Sequence, residues 1–142
     1  MDAVTTVFLG GQSAAEFAQL LPVVARMRTL ETLQLATEAV PEEVALCQQI
    51  EELVIWGAKE IPAAIGRMKR LKTVVMTLGQ FETLPEEIGE LTNLTLLNVS
   101  ENASLRALPA SLAKLTQLQD LVLEENPQLT GLPADVARRR PT

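Results

Sequence analysis

Leu84-Pro85-Glu86-Glu87-Ile88-Gly89-Glu90-Leu91-Thr92-Asn93-Leu94-Thr95-Leu96-Leu97-Asn98-Val99 is the stretch that decides how this chain folds. The same grammar returns one unit later as Leu108-Pro109-Ala110-Ser111-Leu112-Ala113-Lys114-Leu115, followed by Leu118, Leu121 and Leu123. Apolar residues recur at every third position and then close on a Leu-x-Leu pair. A self-similar period of this length marks a solenoid, in which each unit buries its apolar face only by stacking on its neighbours. Stacked units build a surface, so the pattern points to recognition rather than to catalysis.

Outward from that stretch, Pro22, Pro41, Pro62, Pro85, Pro109 and Pro133 set the register. The first five are followed by an apolar triplet: Leu30/Leu33/Leu35, Ile50/Leu53/Ile55, Leu71/Val74/Met76, Leu94/Leu97/Val99 and Leu118/Leu121/Leu123. Val4/Val7/Leu9 supplies a further triplet without a preceding proline. The spacing predicts about six short strands with period-two burial. From proline to the middle of the triplet the distance is 11, 12, 12, 12 and 12 residues. From the end of each triplet to the next proline it is 13, 6, 7, 9, 10 and 10. Insertions therefore collect in the arc that leaves the sheet, because the strand must stay in ladder register.

Proline lacks an N–H and fixes φ, which suits the first turn of a helix. Carboxylates follow it at Glu42-Glu43 and Glu86-Glu87, where a helix N-terminus favours negative charge. Short helical turns are expected at about 42–48, 63–69, 86–91, 110–115 and 134–139. Ser13-Ala14-Ala15-Glu16 reads as a capping box opening a helix over 14–21.

On these residues the chain resembles the leucine-rich repeat proteins. Leu94-x-x-Leu97-x-Val99-x-x-Asn102-x-x-Leu105 and Leu118-x-x-Leu121-x-Leu123-x-x-Asn126-x-x-Leu129 fit their pattern. The Leu-Pro-x-x-Ile-Gly-x-Leu segment is similar to the intracellular subclass with units of about 23 residues. The resemblance implies an α/β solenoid with a parallel sheet on its concave face and short helices or 3₁₀ turns on the convex side. It implies a single domain over 1–142, with degenerate repeats over 1–83, regular repeats over 84–133 and a C-terminal cap over 133–142. Asn102 and Asn126 would form the structural asparagine ladder. Upstream, Gln12, Glu38, Ala58 and Gly79 stand in its place, so those turns must close differently and the N-terminal half is expected to be less regular.

In such a fold the residues between the core positions face the concavity in columns. The first is Thr6, Thr32, Glu52, Thr73, Leu96 and Asp120; the central one is Phe8, Gln34, Val54, Val75, Asn98 and Val122. The third is Gly10, Ala36, Trp56, Thr77, Ser100 and Glu124. Trp56 with Val54, Val75, Leu96 and Phe8 forms an expected exposed apolar strip. Beside it an acidic stripe is expected from Glu52, Asp120, Glu124, Glu125 and Glu101. An apolar centre with a charged rim is how protein-binding surfaces are built, and Trp is enriched at hot spots. The bland alternative lets Trp56 fold against Gly57-Ala58-Lys59 as local packing, and leaves the carboxylates as solvation. The expected binding residues are Phe8, Glu52, Val54, Trp56, Val75, Leu96, Asn98, Asp120, Val122 and Glu124.

Composition narrows function further. Hydrophobics are 47% of the 142 residues and aromatics only 3%, so the core must be aliphatic. The formal charge of -6 argues against nucleic acid and anionic membrane, and favours a partner with a basic flank. Histidine and tyrosine are absent, which removes any His-based triad or metal site; no cofactor is expected. The lone Cys47 falls on the core slot that Leu91 and Leu115 fill later, so it reads as a small buried hydrophobe. One cysteine, no basic leader and no long apolar run suggest a cytoplasmic protein. The expected role is a non-enzymatic protein-interaction module. The alternatives are an inhibitor or immunity-type protein neutralising a basic enzyme, and the recognition part of a larger signalling or effector protein. An uncovered strand at Val4–Leu9 also offers an edge for a homodimer.

Overall fold

The structure, a computed structural model, describes residues 4–133. Six parallel strands lie in one sheet in chain order: β1 (Thr6–Gly10), β2 (Thr32–Ala36), β3 (Glu52–Trp56), β4 (Thr73–Thr77), β5 (Leu96–Asn98) and β6 (Asp120–Val122). One α-helix, α1 (Ala14–Val24), follows β1. The later arcs each carry a 3₁₀ helix, at Glu42–Leu46, Ala63–Arg67, Glu86–Glu90 and Ala110–Lys114. The helical turn expected over 134–139 and most of the C-terminal cap lie outside the described residues.

The pairing reproduces the columns read from the sequence. Thr6, Thr32, Glu52, Thr73, Leu96 and Asp120 are successive partners, as are Phe8, Gln34, Val54, Val75, Asn98 and Val122. One backbone device repeats at every join. The carbonyl before each strand accepts two amides of the next unit: Thr5 from Glu31 and Thr32, Glu51 from Lys72 and Thr73, Thr95 from Gln119 and Asp120, all at 2.8–3.1 Å. Such sharing satisfies the polar backbone while leaving the side chains free to vary.

The core is a row of equivalent slots. Leu33, Leu53, Val74 and Leu97 are fully buried beneath the sheet, and Val44, Ile65, Ile88 and Leu112 meet them from the 3₁₀ helices. Cys47, Met68, Leu91 and Leu115 fill the next slot, each at 0–1% exposure. Burial pushes the Cys47 thiol up to about 11, so hardly any thiolate exists at neutral pH. Native Cys47 is expected to resist a thiol reagent such as a disulfide dye and to react only as fast as the chain unfolds. Rapid labelling at pH 8 in folded protein would contradict its placement. The folded thiol holds its proton to higher pH than the unfolded one, so stability is expected to fall as pH rises from 9 towards 11.

Two expectations change. Pro22 does not open a turn; it lies inside α1, which runs to Val24 rather than stopping near 21. Ser13 caps that helix as expected, accepting from the Glu16 amide at 3.2 Å. Burial of Phe17, Leu21 and Val24 against the core outweighs the hydrogen bond the proline cannot donate. The other prolines stand one place earlier than a first helical residue. Pro41, Pro62, Pro85 and Pro109 are extended caps whose carbonyls accept the first helical bond, from Val44, Ile65, Ile88 and Leu112 at 3.1–3.2 Å. Strand length also varies along the sheet: β1 to β4 have five residues each, β5 and β6 three.

The asparagine ladder sits where the sequence puts it. Asn102, fully buried, donates from Nδ2 to the Met76, Val99 and Ser100 carbonyls, and its Oδ1 accepts the Gly79 amide at 2.8 Å. Asn126 repeats the motif, donating to Val99 and Leu123 and accepting the Asn102 amide at 2.9 Å. Upstream, neighbouring arcs bond backbone to backbone instead. Gln80 donates to Ala58 at 2.8 Å and Lys59 to Glu38 at 2.9 Å.

Candidate partner-binding face

Of the residues expected to bind, Phe8, Glu52, Val54, Trp56, Val75, Leu96, Asn98, Asp120 and Val122 stand on the strands at positions alternating with the core ones, and Glu124 stands just past β6. Phe8 is 57% exposed, and its ring meets Trp56 across β2 with centroids 6.0 Å apart, tilted by 54°. That geometry lies within the favourable range for aromatic pairs. Between them β2 offers only Ala36 in the Trp56 column, and β1 offers Gly10. A Cβ on Gly10 would lie 2.8 Å from the Phe8 ring, so the missing side chain is what lets that ring lie down. Trp56 therefore packs towards β1 and not onto the arc at 57–59. Small Gly10, small Ala36 and large Trp56 in one column are the legible sign of this pair.

The apolar strip is shorter than expected. Val54 is only 8% exposed, although it lies outside the core cluster. Half-covered Val75 and Leu96 continue the strip on β4 and β5, and Val122 is likewise half-covered on β6. Asn98 is occupied locally: its Oδ1 accepts from the Ser100 amide at 3.0 Å and the Ser100 hydroxyl at 2.6 Å.

The acidic stripe is also redrawn. Glu52 stands on β3, separated from Asp120 on β6 by Thr73 and Leu96 in the same column. The remaining carboxylates gather at the β6 end, where Asp120, Glu101, Glu124 and Glu125 are all exposed. Four acids elsewhere are matched with the chain's own cations: Glu38 with Lys59, Glu51 with Arg70 and Lys72, Glu82 with Arg106, and Glu90 with Lys69 and Lys114. Among the described residues, none of the four carboxylates at the β6 end, nor Glu52, has such a pair. These ion pairs are exposed and contribute little to stability.

Among the described residues no group of three or more Cys, Asp or Glu side chains is placed to share a metal ion. No helix of the described residues is long and apolar enough to cross a membrane.

No family model matches the chain. It is 29% identical over 107 residues to the TMV resistance protein N of Nicotiana glutinosa, a stretch covering 70% of this chain and 9% of that protein. Its fold is similar to that of a leucine-rich repeat protein of Leptospira interrogans, with a TM-score of 0.74, 22% identity and coverage of 92% of this chain and 38% of the other. It is also similar to the leucine-rich repeat ectodomain of an Arabidopsis thaliana membrane receptor kinase, solved in complex with Casparian strip integrity factor 2. That match has a TM-score of 0.65, 23% identity, and coverage of 87% of this chain and 16% of the receptor chain. The chain thus spans well under half the length of each of these proteins.

Proposed function

Because the chain folds as a leucine-rich repeat solenoid, a scaffold that presents a sheet of variable side chains, we propose that it is a non-enzymatic module binding a protein partner on that sheet. The observation that carries the reading is the Phe8–Trp56 pair, an aromatic platform standing on the outer face and not committed to the core. Tryptophan in such a place is the residue type most enriched among binding hot spots. Val75 and Leu96 extend the contact, and the uncompensated carboxylates favour a partner with basic groups.

Trp56→Ala is expected to weaken partner binding by about 2 kcal/mol, roughly thirtyfold, with the unfolding midpoint little changed. The partner is first captured on immobilised protein and identified by mass spectrometry, then titrated against both variants. Equal affinity for a folded mutant would remove this face from consideration. A second reading, the recognition part of a larger protein, is favoured by the small share of each similar protein that the chain spans. A parent gene encoding a further domain in frame would establish it.

A further inference from the structure

The row that holds Trp56 continues across the sheet as Thr77 on β4, Ser100 just past β5 and Glu124 just past β6. Backbone bonds keep these positions level: Gly57 donates to Thr77 at 3.1 Å, Val99 to Val122 and Glu101 to Glu124 at 3.0 Å. Thr77 and Ser100 are only 8% and 7% exposed, so they form a low floor of small residues between a raised aromatic end and a raised acidic end. Alongside runs a second row, Gly57, Leu78, Glu101 and Glu125, in which every residue has a positive φ.

Leu78 in that row is the odd one. It holds φ at 58° and leaves 59% of an apolar side chain in solvent. Left-handed backbone costs a non-glycine residue about 1–2 kcal/mol, and Gly57 next to it shows that the fold accepts glycine there. Bonds within the chain hold the turn, the Leu78 amide donating to the Glu101 carbonyl at 3.0 Å and the Gly79 amide to Asn102 Oδ1 at 2.8 Å. The exposed side chain is no part of the core, and an apolar group so placed beside the aromatic pair extends the surface open to a partner.

Resting on the interaction reading above, we propose that this track takes an extended polypeptide segment lying across the strands. An apolar residue of the segment sits on Phe8 and Trp56, the stretch after it passes over Leu78, and a Lys or Arg sits over Glu124, Glu125 and Glu101. Three strand intervals of about 4.8 Å separate Trp56 from Glu124, roughly 14 Å. An extended chain covers that in about four residues at 3.3–3.6 Å each. The occupant is therefore a segment with its basic residue about four places from its apolar anchor.

The test uses synthetic peptides carrying one Leu and an Arg-Arg pair, separated by one to eight Ser or Thr residues. Trp56 is the only tryptophan and tyrosine is absent, so its fluorescence reports the site directly. Binding is expected to be tightest with about three intervening residues, to weaken steeply with salt, and to vanish when Glu replaces Arg. Leu78→Gly is expected to weaken that peptide severalfold while leaving the unfolding midpoint unchanged or raised. The double variant Glu124→Gln/Glu125→Gln should lose the preference for spacing. Affinity independent of spacing and charge would overturn the proposal. So would a mass that doubles with concentration in light scattering and stays single in Trp56→Ala, because a second copy would then occupy the face. If no peptide shifts the fluorescence yet a captured partner still requires Trp56, the extended segment fails and the interaction reading stands. A partner indifferent to Trp56 ends both.

Discussion

Asn102→Ala is expected to remove about 3–5 kcal/mol of folding stability, a large part of what a domain of this size possesses. The side chain is fully buried and makes four hydrogen bonds, three as donor and one as acceptor. Alanine leaves the Gly79 amide and the Met76 carbonyl without this partner, and each buried orphan costs about 1–3 kcal/mol. The Val99 carbonyl suffers less, since Asn126 also donates to it at 2.9 Å. Asn102→Asp is expected to be worse still: it keeps the acceptor for Gly79 but turns a second oxygen towards three carbonyls, two of them 2.9 and 3.1 Å from the nitrogen it replaces. Urea unfolding followed by circular dichroism reads both changes. A loss below about 1 kcal/mol for alanine would mean that water enters the turn and takes over the bonds.

Gly89→Ala is expected to cost about 2–3 kcal/mol, although alanine is the better helix former. A Cβ at 89 would stand 2.5 Å from the Ser111 Cβ and 2.6 Å from its carbonyl oxygen. A backbone atom cannot rotate away, so the two 3₁₀ helices would have to part. The equivalent place in the first 3₁₀ helix, Ala45, holds an alanine without difficulty, so the turn itself does not demand glycine. Spacing to the next unit does. Ser111 reinforces that spacing, donating its hydroxyl to the Glu86 carbonyl at 2.7 Å. Denaturant unfolding with an unchanged slope, and a midpoint no lower than wild type, would show that the units are more loosely stacked than the structure has them.

The strands and their register were legible because the Leu-x-Leu pair must alternate faces, and a slip of one residue would turn every core leucine to solvent. All columns followed from that constraint. What lay beyond it depended on contacts between side chains far apart in sequence. Pro22 carried the same local signal as the prolines at 41 and 62, and only the packing of Phe17 and Leu21 kept the helix going through it. Val54 has the sequence of an exposed strand residue, yet only 8% of it is exposed. The acidic residues were read as one stripe, but a stripe requires adjacent strands, and Glu52 lies three strands from Asp120. Leu78 was not singled out, because nothing in Thr-Leu-Gly-Gln announces a left-handed leucine.

The carbonyls that each accept two amides of the following unit also govern how the array comes together in time. From acceptor to second donor the chain closes loops of 27, 21, 22, 24 and 25 residues, taken from Thr5–Thr32, Glu31–Glu52, Glu51–Thr73, Lys72–Leu96 and Thr95–Asp120. Closure entropy grows only with the logarithm of loop length, so these joins differ by a few tenths of a kcal/mol at most. No join waits on a distant segment to arrive. Assembly can start at whichever pair of units meets first and lengthen in both directions, one latch at a time. Any unit held from one side only is then the last to close and the first to let go.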